Sequence, residues 1–505
     1  MNEKKRTGRL TGWALSLAAV ALTCFYPCMF LFARNAGEAR ASDMLPFFLL
    51  FLCTAAAGLA LSGLILRNIC RAAVMTVAGM LVVIYFSQLS GWVESLAPWL
   101  HSKYLFLLFC LILLGLLILL IRKKPDLRGL CGILALTFGF LTAVSFFTAL
   151  PGLLSASSYS PPETAEAGEI RFQGQKRNVY YLIFDEYGGD ENLAFYFGYD
   201  NSDFWRELED RGFSVSHTSR NPESCWTDTL IPNMLCLDYV ADDSMPEKVR
   251  RTYLEEPLLQ TVFLENGYQV NLINHRAFLR LRGARELTEG QVEDTISELL
   301  LQHSLFNKIP PVRDRITYWL FRNYRDNYRE PLENALEALK GCPGETGGVP
   351  TLTISYIQCP HAPFVYNADG TVRDLSTGWY WRDKTLYPGQ LRYINSVILE
   401  TVDNIQRQDP EAVILLLSDH GARVSLHMVE QFGGPRFDAA GETAVMQNML
   451  LCVYIPGMTL DVEGDTAINA TRKTLDAAFQ TDLGTIQPKT GYILDEKYNA
   501  KPGED

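Results

Sequence analysis

The chain has 505 residues, 48% of them hydrophobic, and a formal net charge of −12 at pH 7. It is longer than one average domain of about 150 residues. The negative charge argues against nucleic acid as a partner, because nucleic-acid-binding proteins usually present a basic face. Residues 1–150 are almost continuously apolar, whereas the remainder has the composition of an acidic, soluble α/β protein.

Five apolar stretches reach the ~20 residues that are needed to cross a hydrocarbon core of about 30 Å. The first stretch alone would fit a signal peptide because basic residues precede it, but four further stretches follow it. We therefore predict an α-helical membrane domain of five spans over residues 1–150. The predicted spans are residues 11–33, 45–66, 70–88, 103–121 and 129–150.

The flanks of these spans alternate in their content of Lys and Arg. The N-terminus and the turns at 67–71 and 122–128 are basic, whereas the alternate loops carry fewer basic residues. By the positive-inside rule, this predicts a multi-pass protein of the cell membrane with a cytoplasmic N-terminus and an extracytoplasmic C-terminal domain. The spans carry almost no charge of the kind that transport sites need, which disfavours a transporter.

Residues 151–177 are rich in Pro, Ser, Gly and Glu and are predicted to form a linker. From Asn178 onward, short apolar strands alternate with amphipathic helices, a pattern typical of a mainly parallel sheet covered on both faces. We assign residues 178–505 to one extracytoplasmic α/β domain. Residues 290–340 are predicted to be a helical, covering insertion. One helix is expected to pack on the sheet through five apolar residues at three- and four-residue spacing, namely Leu391, Ile394, Ile398, Val402 and Ile405.

Three predicted strands end in residues that can do chemistry. VYYLIF runs into Asp185 and Glu186, AVILLLS runs into Asp419 and His420, and TLTISYIQ is followed by His361. In open α/β sheets the site lies beyond the carboxyl ends of the strands. Two carboxylates and an imidazole converging there would suit a divalent metal, with Zn²⁺ a natural fit for mixed N and O ligands. Asp185 could instead cap a helix, and His361 could be a structural histidine.

The segment 221–235, NPESCWTDTLIPNML, supplies candidate nucleophiles. A threonine hydroxyl bound to a divalent cation loses its proton readily and can attack at neutral pH. Thr227 and Thr229 are the candidates, although either could instead cap the following helix. We also expect Gly188 and Gly421 to let the backbone turn sharply after the metal ligands.

The order of these pieces resembles the alkaline phosphatase superfamily. More narrowly, it is similar to the membrane-bound, sulfatase-like branch that includes lipoteichoic acid synthases, phosphoglycerol transferases and phosphoethanolamine transferases. The resemblance covers about residues 178–475 and rests on NVYYLIFDEYG, TDTLIPNML, PHAPFVYNADG and SDHG. Five spans followed by an outer catalytic domain is also the layout of that branch.

The resemblance implies a role for each matched position. It places the nucleophile on Thr227 and a substrate-phosphate histidine on His361, with His427 as a second such histidine. It implies a divalent metal, zinc or manganese with magnesium as a third candidate. The implied metal ligands are Asp185, Thr227, Asp419 and His420. Glu186 is a lesser candidate for the first of these ligands, and Thr229 is a lesser candidate for the nucleophile.

Two cysteines bear on the comparison. Cys225 and Cys236 flank Thr227 much as a disulfide flanks the nucleophile in phosphoethanolamine transferases, so the resemblance implies a bridge between them. Cys225 begins Cys-Trp-Thr-Asp-Thr rather than the Cys-x-Pro-x-Arg of sulfatases. Hydrolysis of sulfate esters is therefore disfavoured.

These observations predict a metal-dependent phosphotransferase. It would move a phosphorylated headgroup from a membrane lipid, the donor, to an envelope glycan or lipid, the acceptor, through a phosphothreonine. We expect it to act as a monomer. One alternative is a phosphate or phosphodiester hydrolase with the same site. Another is a catalytically silent protein that binds the cell envelope.

Overall fold

A computed structural model of the chain divides into two compact units by its internal contacts. The first unit comprises Met1–Tyr159 and Asp294–Arg322, and the second comprises Ser160–Glu293 and Asn323–Asp505. The structure describes residues 2–35, 41–96, 102–155, 169–245, 247–275, 278–288, 295–309, 311–313, 315–316, 322–345, 348–373, 383–424, 439–494 and 500–502.

The first unit is built from apolar helices and is that of a membrane protein. Among the described residues, four helices are long and apolar enough to cross a membrane, and a fifth span is reached only if a bent pair is counted as one. The helices are α1 (Asn2–Arg34), α2 (Leu45–Leu66), α3 (Ile69–Ile84), α4 (Phe86–Leu96), α5 (Ser102–Lys123) and α6 (Arg128–Ser155).

The bent pair corrects the third predicted span. Residues 70–88 do not form one straight helix, because α3 ends at Ile84 and α4 leaves it at an angle of 73°. The sequence beyond the bend is less apolar, with Ser87, Gln88 and Ser90 in its first turns. The predicted linker also begins later than expected, since α6 continues to Ser155.

The second unit contains a seven-stranded sheet in the order β2-β7-β6-β1-β5-β3-β4. β1 lies between β5 and β6 and is parallel to both, while β7 is antiparallel to β6 and to β2. The prediction of a mainly parallel α/β sheet is thus confirmed. The strands are β1 (Val179–Phe184), β2 (Ser214–Ser216), β3 (Gln269–Asn274), β4 (Arg285–Glu286), β5 (Thr351–Ile357), β6 (Val413–Leu417) and β7 (Leu451–Tyr454); β8 (Tyr492–Leu494) and β9 (Ala500–Pro502) form a separate pair.

Helices cover both faces of this sheet. Side chains of β1 alternate between two hydrophobic cores, with Leu182 in one and Ile183 in the other. The five apolar residues predicted to pack on the sheet are all fully buried in the Leu182 core, which confirms that helix. The helices are α7 (Asp190–Phe197), α8 (Ser202–Asp210), α9 (Thr227–Cys236), α10 (Glu247–Thr252), α11 (Leu258–Glu265), α13 (Arg322–Gly341), α14 (Leu386–Gln408), α15 (Ala439–Gln447) and α16 (Ala467–Phe479).

The chain between β4 and β5 is shared by the two units. Helix α12 (Thr295–His303) packs on α1, α2 and α4 of the first unit. The 3₁₀ turn Leu305–Lys308 follows, and its Phe306 ring stacks on Phe51 of α2 at a centroid distance of 6.3 Å. Helix α13 contributes Leu332 and Leu336 to a core of the second unit. The region predicted as one covering insertion is therefore divided between the membrane unit and the α/β unit.

Candidate metal centre and nucleophile loop

The carboxyl ends of β1, β5 and β6 meet at one place, because these strands are parallel neighbours. Asp185 directly follows β1, and Asp419 and His420 follow β6 after a single serine. His361 comes shortly after β5, and its backbone N–H donates to the carbonyl of Asp185 at 3.2 Å. The sheet thus brings together four of the residues that the sequence singles out.

Three of these side chains form a compact set of possible metal ligands. One ligand atom each from Asp185, Asp419 and His420 lies within 4.8 Å of the others, and all three residues are buried. The Nε2 atom of His420 is 3.3 Å from Oδ2 of Asp419 and 3.9 Å from Oδ1 of Asp185. Zinc–nitrogen and zinc–oxygen bonds of ~2.0–2.2 Å in a tetrahedron place neighbouring ligand atoms about 3.3–3.6 Å apart. The separations are therefore close to those of a metal site.

The hydrogen bonds around His420 leave one ring nitrogen available. The Nδ1 atom is 2.8 Å from the carbonyl oxygen of Gly421 and is placed to donate to it. The proton then resides on Nδ1, and the lone pair of Nε2 faces the two carboxylates. Burial lowers the pKa of His420 and outweighs the opposing effect of Asp419. A neutral imidazole oriented in this way is the form that ligates a metal.

The pKa values of the two carboxylates are shifted in opposite directions. Burial, together with the charges of Asp419 and Glu186, raises the pKa of Asp185 well above its usual value. Its Oδ2 accepts a hydrogen bond from the hydroxyl of Tyr356 at 2.7 Å, whereas its buried Oδ1 has no hydrogen-bond partner among the described residues. A buried carboxylate oxygen of this kind calls for a cation.

Asp419 is held in its ionised form. Burial favours the neutral acid, but hydrogen bonds from Thr227 and from the Glu186 backbone, together with the charge of Arg423, oppose it, and the pKa of Asp419 lies below its usual value. Its Oδ1 also accepts from the backbone N–H groups of Glu186 and His420, at 3.2 and 2.9 Å. The donor set of two carboxylates and a neutral imidazole therefore fits a divalent cation.

Thr227 lies at the first position of α9, beside this set of ligands. Its hydroxyl donates to Oδ2 of Asp419 at 2.7 Å and is 3.2 Å from Nε2 of His420. The residue is only partly buried, so its oxygen remains reachable. The N-terminus of a helix also favours negative charge close to it. Of the two threonines, Thr227 is the one that the fold brings to the candidate metal centre.

Thr229 is engaged elsewhere. Its side chain is fully buried, and its hydroxyl donates to Oδ1 of Asp243 at 2.6 Å. The same carboxylate oxygen accepts from the hydroxyl of Ser224 at 2.7 Å. Asp228, between the two threonines, is paired with Arg250. These contacts hold the start of α9 in place and leave Thr229 without a route to the metal ligands.

Glu186 connects the metal ligands to His361 and to a residue that sequence reasoning missed, Arg423. Its Oε2 is 3.5 Å from Nε2 of His361, and its Oε1 accepts from the backbone N–H of Arg423 at 2.8 Å. The Arg423 guanidinium is 3.6 Å from the same Oε1, and its Nη1 donates to the carbonyl of Cys225 at 3.3 Å. Arg423 therefore joins Glu186 to the segment that precedes Thr227.

We expect Arg423→Met to destabilise the protein by about 3–5 kcal/mol, because it leaves the Glu186 carboxylate buried without its cation. The unfolding temperature of the full-length protein in detergent measures this loss. The double variant Glu186→Gln/Arg423→Met is expected to recover much of it, since the uncompensated charge is then removed. If the loss of stability in the double variant equals the sum of the losses in Glu186→Gln and Arg423→Met, the two side chains are not directly coupled.

The glycines after the ligands are required for space rather than for the turn. A Cβ atom on Gly421 would clash with the carbonyl oxygen of Asn448, and one on Gly188 would clash with the side chain of Asn192. The residue in the left-handed conformation is Glu186, with φ of 61°. The turn after β1 is thus made by Glu186 and not by Gly188, so the expectation that Gly188 provides it is wrong.

Two further expectations concern the Cys225–Cys236 disulfide and His427. The disulfide between Cys225 and Cys236 is not formed, and both thiols are free and buried. Cys236 is the last residue of α9 and Cys225 lies two residues before its first. The helix between them is about 14 Å long at 1.5 Å per residue, well beyond the ~7 Å limit for the Cα atoms of a disulfide. His427 lies outside the described residues.

Glu223, four residues before Thr227, gives a pH-dependent contribution to stability. Burial raises its pKa from 4.5 to about 7. The folded state then binds a proton that the unfolded state has lost, so stability falls as the pH rises from about 4.5 to about 7 and is constant above that range. The full difference corresponds to about 3 kcal/mol.

We expect Glu223→Gln to remove this fall, so that its unfolding temperature exceeds that of the wild type at pH 8 but not at pH 5. The control is Glu411→Gln, a change on an exposed side chain. A difference between wild type and Glu223→Gln that does not vary with pH would contradict the elevated pKa.

Neither a family model nor a curated protein matches the sequence. Among solved structures, the C-terminal periplasmic domain of phosphoethanolamine transferase EptC from Campylobacter jejuni is 12% identical with a TM-score of 0.40, over 66% of this chain and 98% of that chain. Lipooligosaccharide phosphoethanolamine transferase A from Neisseria meningitidis is 13% identical with a TM-score of 0.41. The match covers 93% of this chain and 96% of that chain.

The lipoteichoic acid synthase LtaP from Listeria monocytogenes is 12% identical with a TM-score of 0.38, over 63% of this chain and 79% of that chain. At these sequence identities and TM-scores, the function is inferred from the site itself. Among solved structures, the chain is thus similar in fold to two phosphoethanolamine transferases and a lipoteichoic acid synthase.

Proposed function

We propose that the protein is a metal-dependent, membrane-anchored phosphotransferase that moves a phosphorylated headgroup from a membrane lipid to an envelope acceptor through a phosphothreonine. The observation that carries this proposal is the position of the Thr227 hydroxyl, 2.7 Å from Oδ2 of Asp419 and 3.2 Å from Nε2 of His420. A threonine needs an adjacent base or a metal to act as a nucleophile, and here a possible base and a set of possible metal ligands lie within reach.

The metal would be held by Asp185, Asp419 and His420, with Oγ1 of Thr227 as a further ligand. A divalent cation bound there would lower the pKa of the Thr227 hydroxyl and offset charge on the phosphoryl oxygens. Zinc best suits this mixture of nitrogen and oxygen ligands, and manganese and magnesium are the other candidates.

In the first displacement, Oγ1 of Thr227 attacks the phosphorus of the lipid headgroup and passes its proton to Oδ2 of Asp419. The bond between phosphorus and the glycerol oxygen breaks, and diacylglycerol leaves with the Nε2 proton of His361, which enters this step as an imidazolium and ends it as a neutral imidazole. His361 is suited to this role because its Nδ1 is 2.5 Å from the carbonyl of Ala362, which leaves Nε2 facing Glu186 and the site.

In the second displacement, a hydroxyl of the acceptor attacks the same phosphorus and gives its proton to His361. The bond to Oγ1 breaks, and Thr227 recovers its proton from Asp419. Both residues return to their starting forms, so the cycle balances. The acceptor is proposed to be an envelope glycan or lipid.

The membrane unit accounts for the location of the reaction. Helices of spanning length keep the protein in the bilayer that contains the donor lipid. We propose that the N-terminus is cytoplasmic and the α/β unit extracytoplasmic, since basic residues flank alternate ends of the helices. The enzyme is proposed to act as a monomer, because the ligands, the nucleophile and His361 all come from one chain.

The direct test uses the full-length protein in bilayer nanodiscs that contain a phospholipid labelled in both its headgroup and its glycerol. We expect labelled diacylglycerol to be released and the headgroup phosphate to appear on the peptide 221–235. Its added mass would identify the transferred group. Free headgroup phosphate without an acceptor product would favour the hydrolase. The absence of any turnover with bound metal present would favour the envelope-binding protein.

A further inference from the structure

An apolar cleft of about 310 Å³ lies in the membrane unit, between α2, α3 and α5. Its lining runs along α2 from Thr54 to Ile65 and along α5 from Phe106 to Leu117. No charged side chain lines it among the described residues. The site is separate from the candidate metal centre, which belongs to the α/β unit.

The hydroxyl groups in the cleft are already committed to other parts of the protein. Thr54 donates to the carbonyl of Leu50 at 2.8 Å, and Ser62 donates to that of Gly58 at 2.7 Å. Thr76 donates to the carbonyl of Ala72 at 2.9 Å. Polar groups satisfied in this way offer little to a polar ligand, so the chemistry of the cleft favours a hydrocarbon.

The dimensions of the cleft fit a single chain. Leu117 lies eleven positions after Phe106 on α5, a distance of about 16 Å along the helix at 1.5 Å per residue. This is close to half of a hydrocarbon core of about 30 Å, the depth of one leaflet. The volume spread over that length gives a mean cross-section of about 20 Å², far below the ~80 Å² of a helix about 10 Å across.

We propose that this cleft binds one acyl chain of a membrane phospholipid. The surrounding solvent at this depth is itself acyl chains, and the cleft offers them a bounded, apolar channel of matching length. Dispersion contacts with side chains such as Phe106, Phe109 and Met80 would hold the chain. Binding of this kind requires no turnover at Thr227, so it goes beyond the proposed phosphotransfer.

The segment between β4 and β5 contributes to the same cleft. Leu305 lines it, and Phe306, the next residue, stacks on Phe51. The turn that carries Leu305 also contacts α3, and α12 contacts the 3₁₀ helix Ala41–Met44 and α4. These elements lie at the end of the helices where α2 begins and α3 ends. An acyl chain in the cleft would therefore touch a segment that continues at both ends into the α/β unit.

The test is photochemical labelling of the full-length protein in phosphatidylcholine nanodiscs that contain a trace of phospholipid with a diazirine in the middle of one acyl chain. The Thr227→Ala background keeps the probe intact, so a failure of labelling is distinct from a failure of the proposed chemistry. We expect labelled peptides to concentrate on the cleft-lining parts of α2, α3 and α5 and to exceed those on the outward residues of α6.

Two glycines provide a matched pair of variants. Gly79 lines the cleft and Gly115 lies on α5 outside the lining, and an added Cβ meets nothing within 4 Å at either position. We expect Gly79→Leu to lower labelling of the cleft by about tenfold, the effect of losing about 1.4 kcal/mol of binding. We expect Gly115→Leu to leave it unchanged.

Labelling spread evenly around α5 and α6, or labelling of the cleft that survives Gly79→Leu in a folded protein, would overturn the proposal. Cross-links from the cleft to a second copy of the chain would overturn it as well. If Gly79→Leu does not fold, the distribution of labels on the Thr227→Ala protein decides between the cleft and the general lipid-facing surface.

Discussion

Thr227→Ala is expected to lower turnover of the donor lipid by about 10³-fold or more, because removal of a covalent nucleophile typically costs that much or more. The variant removes the oxygen that lies 2.7 Å from Oδ2 of Asp419. The Ser418 hydroxyl also contacts both Asp419 and His420, but through Oδ1 of the former and the backbone carbonyl of the latter rather than its ring. The peptide 221–235 should then carry no headgroup adduct, and release of diacylglycerol should cease.

Two variants serve as controls for this result. Thr227→Ser retains the oxygen and is expected to retain a measurable fraction of turnover and the adduct. Thr229→Val changes the neighbouring threonine, whose hydroxyl serves Asp243 rather than the metal ligands. It should keep the adduct on residue 227 even if the protein becomes less stable. Turnover by Thr227→Ala within tenfold of the wild type would refute the phosphothreonine.

Loss of any one of the three clustered ligands is expected to weaken metal binding by about 10²-fold or more, since even partners outside the ligand set often contribute 10–100-fold. The variants are Asp185→Asn, Asp419→Asn and His420→Gln. The metal content of the purified full-length protein, together with competition against a metal-sensitive dye, measures the effect. We expect about one divalent ion per chain in the wild type and much less in each variant.

Glu186→Gln is the informative comparison, because Glu186 lies beside Asp185 in the sequence but contacts His361 and Arg423 in the structure. We expect it to keep its metal while turnover falls. Equal loss of metal in Glu186→Gln and Asp185→Asn would show that Glu186 is a ligand. Chelation should also lower the unfolding temperature of the wild type, since a ligand that binds only the folded state stabilises it. No such shift is expected for Asp419→Asn.

The residues of the candidate site that the sequence could predict are those that follow buried strands. Asp185, Asp419 and His420 stand directly after apolar runs, and a parallel sheet brings such positions to one edge. The helix over Leu386–Gln408 could be predicted for a similar reason. Its apolar residues recur at helical spacing, and this pattern is visible within the segment itself.

What the sequence could not supply are contacts between distant segments. Arg423 matters because it contacts Glu186, 237 positions earlier in the chain. From the sequence alone, a single arginine two residues after a glycine would be assigned to the surface. Likewise, the apolar side of residues 295–308 does not say which surface it covers. The bend at Tyr85 and the unbridged pair Cys225 and Cys236 depend on helix geometry that local composition does not encode.

The division of the segment between β4 and β5 has a consequence for how the protein is made. The chain passes from the membrane unit to the α/β unit, returns with Asp294–Arg322, and leaves again. β1 is synthesised before that return, but both of its neighbours, β5 and β6, are synthesised after it. The centre of the sheet therefore stays open during synthesis until the returning segment has emerged. A gene truncated to residues 160–505 would also produce that segment without the helices it packs on. Expression of this piece alone is therefore expected to yield aggregates unless residues 294–322 are removed as well.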